Sequence, residues 1–140
     1  MKISRGLGGI LMLLVMGSAP IGPLAAADRA EEAELTNEAY IDIQPFSVTM
    51  YHRGSPKGNV TITAKLKVTD KDQRAMAQKY LPRLNNAYVM AANRLSHDYF
   101  DIRRPVNVAM LGDAFQRSTD KILGHDDAKV LIADIVVYQR

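Results

Sequence analysis

Histidine and carboxylate are the side chains whose spacing here suggests chemistry. The chain carries His52, His97 and His125, and two of them stand among acids: His97 with Asp98 and Asp101, His125 with Asp126 and Asp127. Imidazole and carboxylate together suit several divalent ions, so a metal held by His97, Asp101, His125 and Asp127 is the sharpest chemical hypothesis. Each cluster also falls beside the end of an expected helix, where polar residues are favoured and a histidine near the C-terminus complements the helix dipole. That second reading needs no coincidence of distant segments, and no metal ligand is expected. Ser47, Ser55, Ser96 and Ser118 stand in no nucleophile-elbow context. Gly6, Gly8 and Gly9 lie in the apolar N-terminal segment rather than after a strand, so they make no phosphate-cradling loop. With no catalytic and no cofactor-binding residue in view, the sequence points away from an enzyme and toward a protein that works by contact.

Positioning those residues requires a fold. Ile41 and Ile43 alternate with Asp42 and Gln44, and after Pro45 the alternation resumes one residue out of phase as Phe46, Val48 and Met50. Strand side chains repeat every two residues, so the slip turns the apolar set to the other face unless the chain bulges or bends. A kink at Gln44–Pro45 is expected, on an edge strand because proline cannot donate to a ladder. Residues 52–59 (HRGSPKGN) are dense in turn formers. Next, Val60, Ile62, Ala64, Leu66 and Val68 oppose Thr61, Thr63, Lys65, Lys67 and Thr69, which gives one buried face and one face for solvent or a partner.

Thr69 and Asp70 offer helix N-caps, and Met76, Tyr80, Leu84, Tyr88, Ala91 and Leu95 keep helical spacing. Tyr80 and Tyr88 read as packing residues, and Met76, Met90 and Met110 as gap-fillers. A mid-helix proline costs about 3 kcal/mol, so Pro82 is expected to divide this stretch into helices over 70–79 and 82–97. A further helix from about Val106, with Asn107 as cap, runs to Leu123. It turns Val108, Leu111, Phe115 and Ile122 inward and stops at Gly124. Residues 129–140 (KVLIADIVVYQR) are apolar on both alternations, Val130, Ile132, Val136 and Tyr138 against Leu131, Ala133, Ile135 and Val137. Such a strand belongs in a sheet interior or at a protein interface, with one face over Leu84, Leu95 and Phe115. The order β-β-α-α-β predicts an α+β domain, a small antiparallel or mixed sheet with helices packed on one face.

Ahead of this domain, Lys2 and Arg5, the apolar run 7–15 (LGGILMLLV) and the small residues Ala25 and Ala27 follow the layout of a secretory signal peptide. The alternative is an uncleaved anchor, which needs about 20 apolar residues and would have to include Pro20 and Pro23. Residues 1–27 are thus expected to be a signal cleaved after Ala27, 28–39 an acidic linker and 40–140 the domain. The domain would be periplasmic, or tethered to the inner membrane if the segment is retained. The chain has no cysteine, so neither a lipid-modified cysteine nor a disulfide is available and the core alone must stabilise the fold. Loss of Lys2 and Arg5 from 18 basic side chains leaves the 15 acids almost balanced. No Lys/Arg cluster suggests nucleic acid.

Several local texts occur in a fixed order. They are Tyr40, Pro45, Phe46 and Val48 in the opening strand, the alternating strand ending Val68-Thr69-Asp70, and Leu81-Pro82-Arg83-Leu84-Asn85-Asn86-Ala87. A Leu-containing second helix and the ending Asp134-Ile135-Val136-Val137-Tyr138-Gln139 complete the series. In this order and spacing, over about residues 40–139, the chain resembles the periplasmic domain of the FliL family, the flagellar basal-body-associated proteins. The resemblance implies a stomatin/prohibitin-like fold and a non-enzymatic role supporting or modulating the motor and stator in motility. It also implies flagellar motor or stator proteins as partners, and a homo-oligomer. It brings no catalytic residues. FliL proteins usually carry a cytoplasmic stub and a full transmembrane helix, where this chain has the signal-like segment. A soluble periplasmic binding or accessory domain unrelated to motility is the alternative.

Overall fold

A computed structural model describes residues 39–139 of the chain; the expected signal segment, its cleavage residues Ala25 and Ala27, and the linker up to residue 38 lie outside the described residues. The order is β1 (Tyr40–Asp42), β2 (Phe46–His52), β3 (Ser55–Lys67), α1 (Lys71–Asp98), α2 (Val108–Leu123) and β4 (Lys129–Gln139). This is the expected α+β arrangement, with the opening strand divided in two.

The alternating strand β3 organises the sheet. β4 runs antiparallel along residues 58–67 of β3. β1, opposite residues 65–67, and β2, opposite residues 55–62, therefore share its other edge, also antiparallel. Val60, Ile62, Ala64 and Leu66 are at most 1% exposed and face the helices. The hairpin turn is tighter than the turn-rich text suggests. It consists of Arg53 and Gly54, both at positive φ (52° and 77°), as the right-handed twist of a two-residue hairpin demands. Residues 55–59 belong to β3, and the irregularity sits as a bulge opposite Met50 and Tyr51.

Both outer strands slip by one residue at the same level of β3. On one side three residues, 43–45, span two positions of β3 between the pairs Asp42–Lys65 and Phe46–Ile62, so the kink at Pro45 keeps Ile41, Ile43, Val48 and Met50 all buried. On the other side Asp134 pairs with Thr63 and Ile132 with Ala64, which leaves Ala133 as the extra residue of a bulge.

α1 corrects the expected division at Pro82, since one helix of 28 residues passes through it. Pro82 and Gln78, whose carbonyl loses its i+4 donor, are both exposed, on a side of the helix open to solvent. The cost is offset because Leu84 and Tyr88 pack without exposure just beyond it. Asp70 caps α1, its side chain accepting from the Gln73 N–H at 2.8 Å. Asn107 caps α2 through the Met110 N–H at 3.0 Å, and Gly124 ends it in the left-handed conformation.

The inward stripes shift slightly from expectation. Met76 and Val108 are exposed, and Ala77, Ser96 and Thr119 are buried instead. The ring of Tyr88 stacks on Phe115 at 4.7 Å, and Phe46 meets Phe115 at 6.0 Å. Such pairs contribute about 0.5–1.5 kcal/mol beyond their area. Thr119 donates to the Phe115 carbonyl at 2.9 Å, so the Tyr88 hydroxyl must donate to Thr119, 2.6 Å away. Burial pushes the Tyr88 phenol above its ordinary value.

Candidate functional site

α1 keeps the two histidine clusters apart. His125 and Asp127 lie 3.7 Å apart beside Gln73, whose side-chain amide donates to Asp127 at 3.3 Å. His97 sits in the last turn of the same helix and bonds Asp98 at 2.8 Å. Twenty-four residues of helix separate Gln73 from His97, about 36 Å at 1.5 Å per residue. The combined site of His97, Asp101, His125 and Asp127 is therefore not assembled. Among the described residues no group of three or more His, Cys, Asp or Glu side chains is placed to hold a metal ion.

What the acids do instead is structural. Asp101, in the loop between the helices, accepts from the Arg103 backbone N–H at 3.0 Å and from the Arg103 guanidinium at 3.0 and 3.3 Å. It also lies 3.7 Å from His52 at the end of β2. Those bonds, with the Arg103 side chain foremost, hold its carboxyl down at about 2. The neighbouring Ile102 carbonyl accepts from the Gln139 side chain at 3.5 Å. One loop thus touches the ends of both outer strands.

Three of the four serines are occupied in the same way. Ser47 bonds Thr61 at 2.7 Å, Ser96 donates to the Thr49 carbonyl and Ser118 donates to the Ala114 carbonyl at 3.0 Å. A cleft of about 510 Å³ between the Gln44 bend and α1 at Leu81 and Asn85 holds one carboxylate, Asp42. That carboxylate is bound to Lys65 at 3.0 Å. None of these places converges nucleophile, base and oxyanion donors.

The surface that stands out is β4. Of the two expected positions, sheet interior or protein interface, the interior one is overturned, because β4 lies at the edge of the described sheet with no fully buried residue. The bulge at Ala133 also redistributes its faces. Val130, Ile132, Ile135 and Val137 oppose the buried residues Leu66, Ala64, Ile62 and Val60 of β3, while Leu131, Asp134, Val136 and Tyr138 oppose Lys65, Thr63, Thr61 and Asn59 on the outer face. The slip keeps Asp134 off the core face, where an unpaired carboxylate would cost several kcal/mol.

On the core face Val130, Ile132 and Ile135 pack against the margin of the core, but β4 leaves Val137 at 40% exposure there and Leu131 and Tyr138 at 42% and 60% on the outer face. Its backbone edge is satisfied only at the start. There the Gln116 side-chain amide pairs like a short strand, donating to the Ala128 carbonyl at 2.7 Å and accepting from the Val130 N–H at 2.9 Å. Beyond this, β4 pairs with β3 alone among the described residues. The Gln116 cap left no mark in the sequence pattern, because a glutamine on a helix shows nothing of what it reaches. On the rest of the outer face Lys65 and Lys67 are engaged with Asp42 and, 5.8 Å above its ring, Tyr40, so the Lys/Thr stripe is a wet face tied to its own sheet. Among the described residues no helix is long and apolar enough to cross a membrane.

No protein-family profile and no curated protein sequence matches this chain.

Proposed function

We propose that this chain is a non-enzymatic, self-associating interaction protein of the FliL type, which supports or modulates the stator units of the flagellar motor from the periplasmic side. The observation that carries the reading is the edge of β4, a strand of eleven residues that is open beyond the Gln116 bonds at its start and largely apolar on both faces. Soluble proteins shield such edges with prolines, charges or covering elements, because unpaired strand edges recruit other chains. The motif order supports the family side of the proposal. Pro45 and Phe46 lie at the bend that splits the opening strand, Val68-Thr69-Asp70 leads into the α1 cap, and Asp134 to Gln139 forms the second half of the open strand. The segment around Pro82 lies within α1 instead of opening a helix.

The test is the position of a tagged copy in swimming cells, together with cross-linking from Tyr138→Cys to the periplasmic parts of stator proteins. Foci that coincide with motors, stator cross-links and impaired swimming on deletion are the expected result. A uniform periplasmic distribution, with no stator cross-link and unchanged swimming, would sink the motor role and favour an accessory domain.

A further inference from the structure

Backbone bonds fix which way each residue of β4 turns its amide. The Ile43 N–H donates to the Ala64 carbonyl at 3.1 Å and the Val68 N–H to the Ala39 carbonyl at 2.8 Å, so even-numbered residues along β3 turn N–H and C=O toward β1 and β2. Odd-numbered residues turn theirs toward β4, because the bonding direction alternates along an antiparallel strand. Lys65, Thr63, Thr61 and Asn59 therefore bond their register partners Leu131, Asp134, Val136 and Tyr138. What remains of β4, namely Val130, Ile132, Ile135, Val137 and Gln139, turns its backbone away from the sheet. The bond from the Val130 N–H to Gln116, at 2.9 Å, agrees.

Beyond Gln116 the outward series breaks once. Ala133 is the extra residue of the bulge, so Ile132 falls out of step, while Ile135, Val137 and Gln139 keep the regular alternation of a strand. Those residues have no ladder partner on that side among the described residues. Residues 135–139 (IVVYQ) also lack the charges and prolines that guard an exposed edge.

We propose that this half-ladder pairs with itself, β4 of a second copy lying antiparallel against it on a two-fold axis through Val137. The pairing rests on the self-association proposed above and adds its partner, direction and register. With that axis Ile135 meets Gln139 of the second copy, Val137 meets Val137 and Gln139 meets Ile135, so every outward N–H of the run faces an outward carbonyl. Val136 then stands opposite Tyr138 in the non-hydrogen-bonded pairs, where side chains are closest and an aromatic against a β-branched residue is favourable. These contacts cover Val137 and Tyr138, which are 40% and 60% exposed in the single chain. Other axes do worse. An axis at Val136 carries Gln139 onto the Ala133 bulge and sets Asp134 against Tyr138; one at Ile135 carries Val137 onto the bulge, and one at Tyr138 leaves Ile135 unpaired. The bulge thus selects the register. A two-fold contact uses the same patch on both copies, so it closes as a dimer.

Because the chain has no cysteine, a single introduced thiol can bond only to its own equivalent. In the exported chain, Val137→Cys would set the two Cα atoms about 5.5 Å apart across the axis, within disulfide reach, whereas Val136→Cys would leave them about 7–8 Å apart on the diagonal, too far. Under mild oxidation the first should give covalent dimers and the second none. Val137→Lys brings like charges together and should turn the dimer into a monomer in sedimentation, as should Val137→Asp. An equimolar mixture of those two chains should dimerise again. Circular dichroism establishes that the charged variants fold; should one not, the cysteine pair decides alone. Covalent dimers formed as readily from Val136→Cys as from Val137→Cys would overturn the register. Association untouched by either charge would overturn the strand pairing and leave self-association standing. A monomeric parent would overturn both, and the tagged copy would still decide the motor role.

Discussion

On one side of β3 the chain lays two short strands, three and seven residues long, with Gln44 and Pro45 between them; on the other it lays a single run of eleven. Both sides absorb one extra residue opposite Thr63 and Ala64, so the difference is not in register. It lies in how each slip is made. A proline breaks the ladder and divides the β1–β2 edge into runs of three and seven residues, whereas Ala133 bends β4 without removing a donor. Burial differs to match. β2 places Val48 and Met50 deep under α1, while β4 has only the core margin and Gln116 beside it. One edge is interrupted and buries its side chains in the core, and the other is continuous and buries little.

Charge placed on each edge should separate these roles most strongly. Val48 is 2% exposed, and Val48→Asp would bury an unpaired carboxylate at a cost of several kcal/mol, comparable to the whole stability of such a domain. Loss of the folded circular dichroism spectrum is expected. Ile135→Asp, opposite Ile62 but half-buried, should lower stability by roughly 2 kcal/mol and leave a folded minority or a depressed melting point. Val136→Asp, on the outer face opposite Thr61, should cost about 1 kcal/mol or less and still abolish self-association in sedimentation. A Val136→Asp protein that is folded and fully associated would show that the β4 edge is not the contact surface.

The contrast also shows which parts of the fold are visible in text. The alternation of β3, the caps Asp70 and Asn107, the stop at Gly124 and the bend at Pro45 are all local: one residue and its neighbours determine each. The expected faces of β4 failed because Ala133 carries no bulge signal. A period-two count passed straight through it and set Val136 and Tyr138 with Val130 and Ile132. Its edge position depends on β3 having only two edges, which is a property of the assembled sheet. Pro82 misled for a related reason, since its cost is local and the compensating burial of Leu84 and Tyr88 is tertiary. The histidine clusters were legible as helix-end residues, but the loop through Asp101 and Ile102 joining both outer strands was not.

Gly58 offers a selective way to loosen the open edge. A methyl group there would overlap the Tyr138 carbonyl oxygen and come 2.9 Å from Ile102 Cδ1. Overpacking of this kind costs about 1–3 kcal/mol, and the strain falls on the last residues of β4. Gly58→Ala should speed amide exchange at Tyr138 and Gln139 while Val48 and Met50 keep their protection. Equal loss on both edges would mean that the two sides of β3 are not independent.

Single-residue deletions test the slips themselves. Without Ala133, Ile132 would still meet Ala64 and Asp134 would still meet Thr63, so every side chain keeps its face; a change of less than about 1 kcal/mol is expected. Deleting Pro45 likewise keeps Ile43 and Phe46 on the core side but makes β1 and β2 one continuous strand. That protein should stay folded and form larger assemblies in light scattering, since a second long edge would then be open. If it remains no larger than the parent, proline is not what closes the first edge.

The smallest effect concerns the loop that touches both strand ends. Asp101 titrates near 2 in the folded protein, below its ordinary value of 3.8, so between these values the unfolded chain binds more protons than the folded one. The stabilisation is fully present above about pH 4 and is lost as pH falls toward 2. Arg103 supplies most of it, through bonds that also order the Arg103 and Arg104 amides, the latter donating to the Asp101 carbonyl at 2.9 Å. Thermal melts of the parent and of Asp101→Asn should differ above pH 4 and converge by pH 2, with amide exchange at Arg103 and Arg104 rising first in the parent. Both strand ends meet this loop, His52 of β2 through Asp101 itself and Gln139 of β4 through Ile102. Acid should therefore loosen the β2 tip before β4, because only the former contact includes the titrating group. Simultaneous loosening would make the loop a single clasp and erase the difference between the two edges at that end of the sheet.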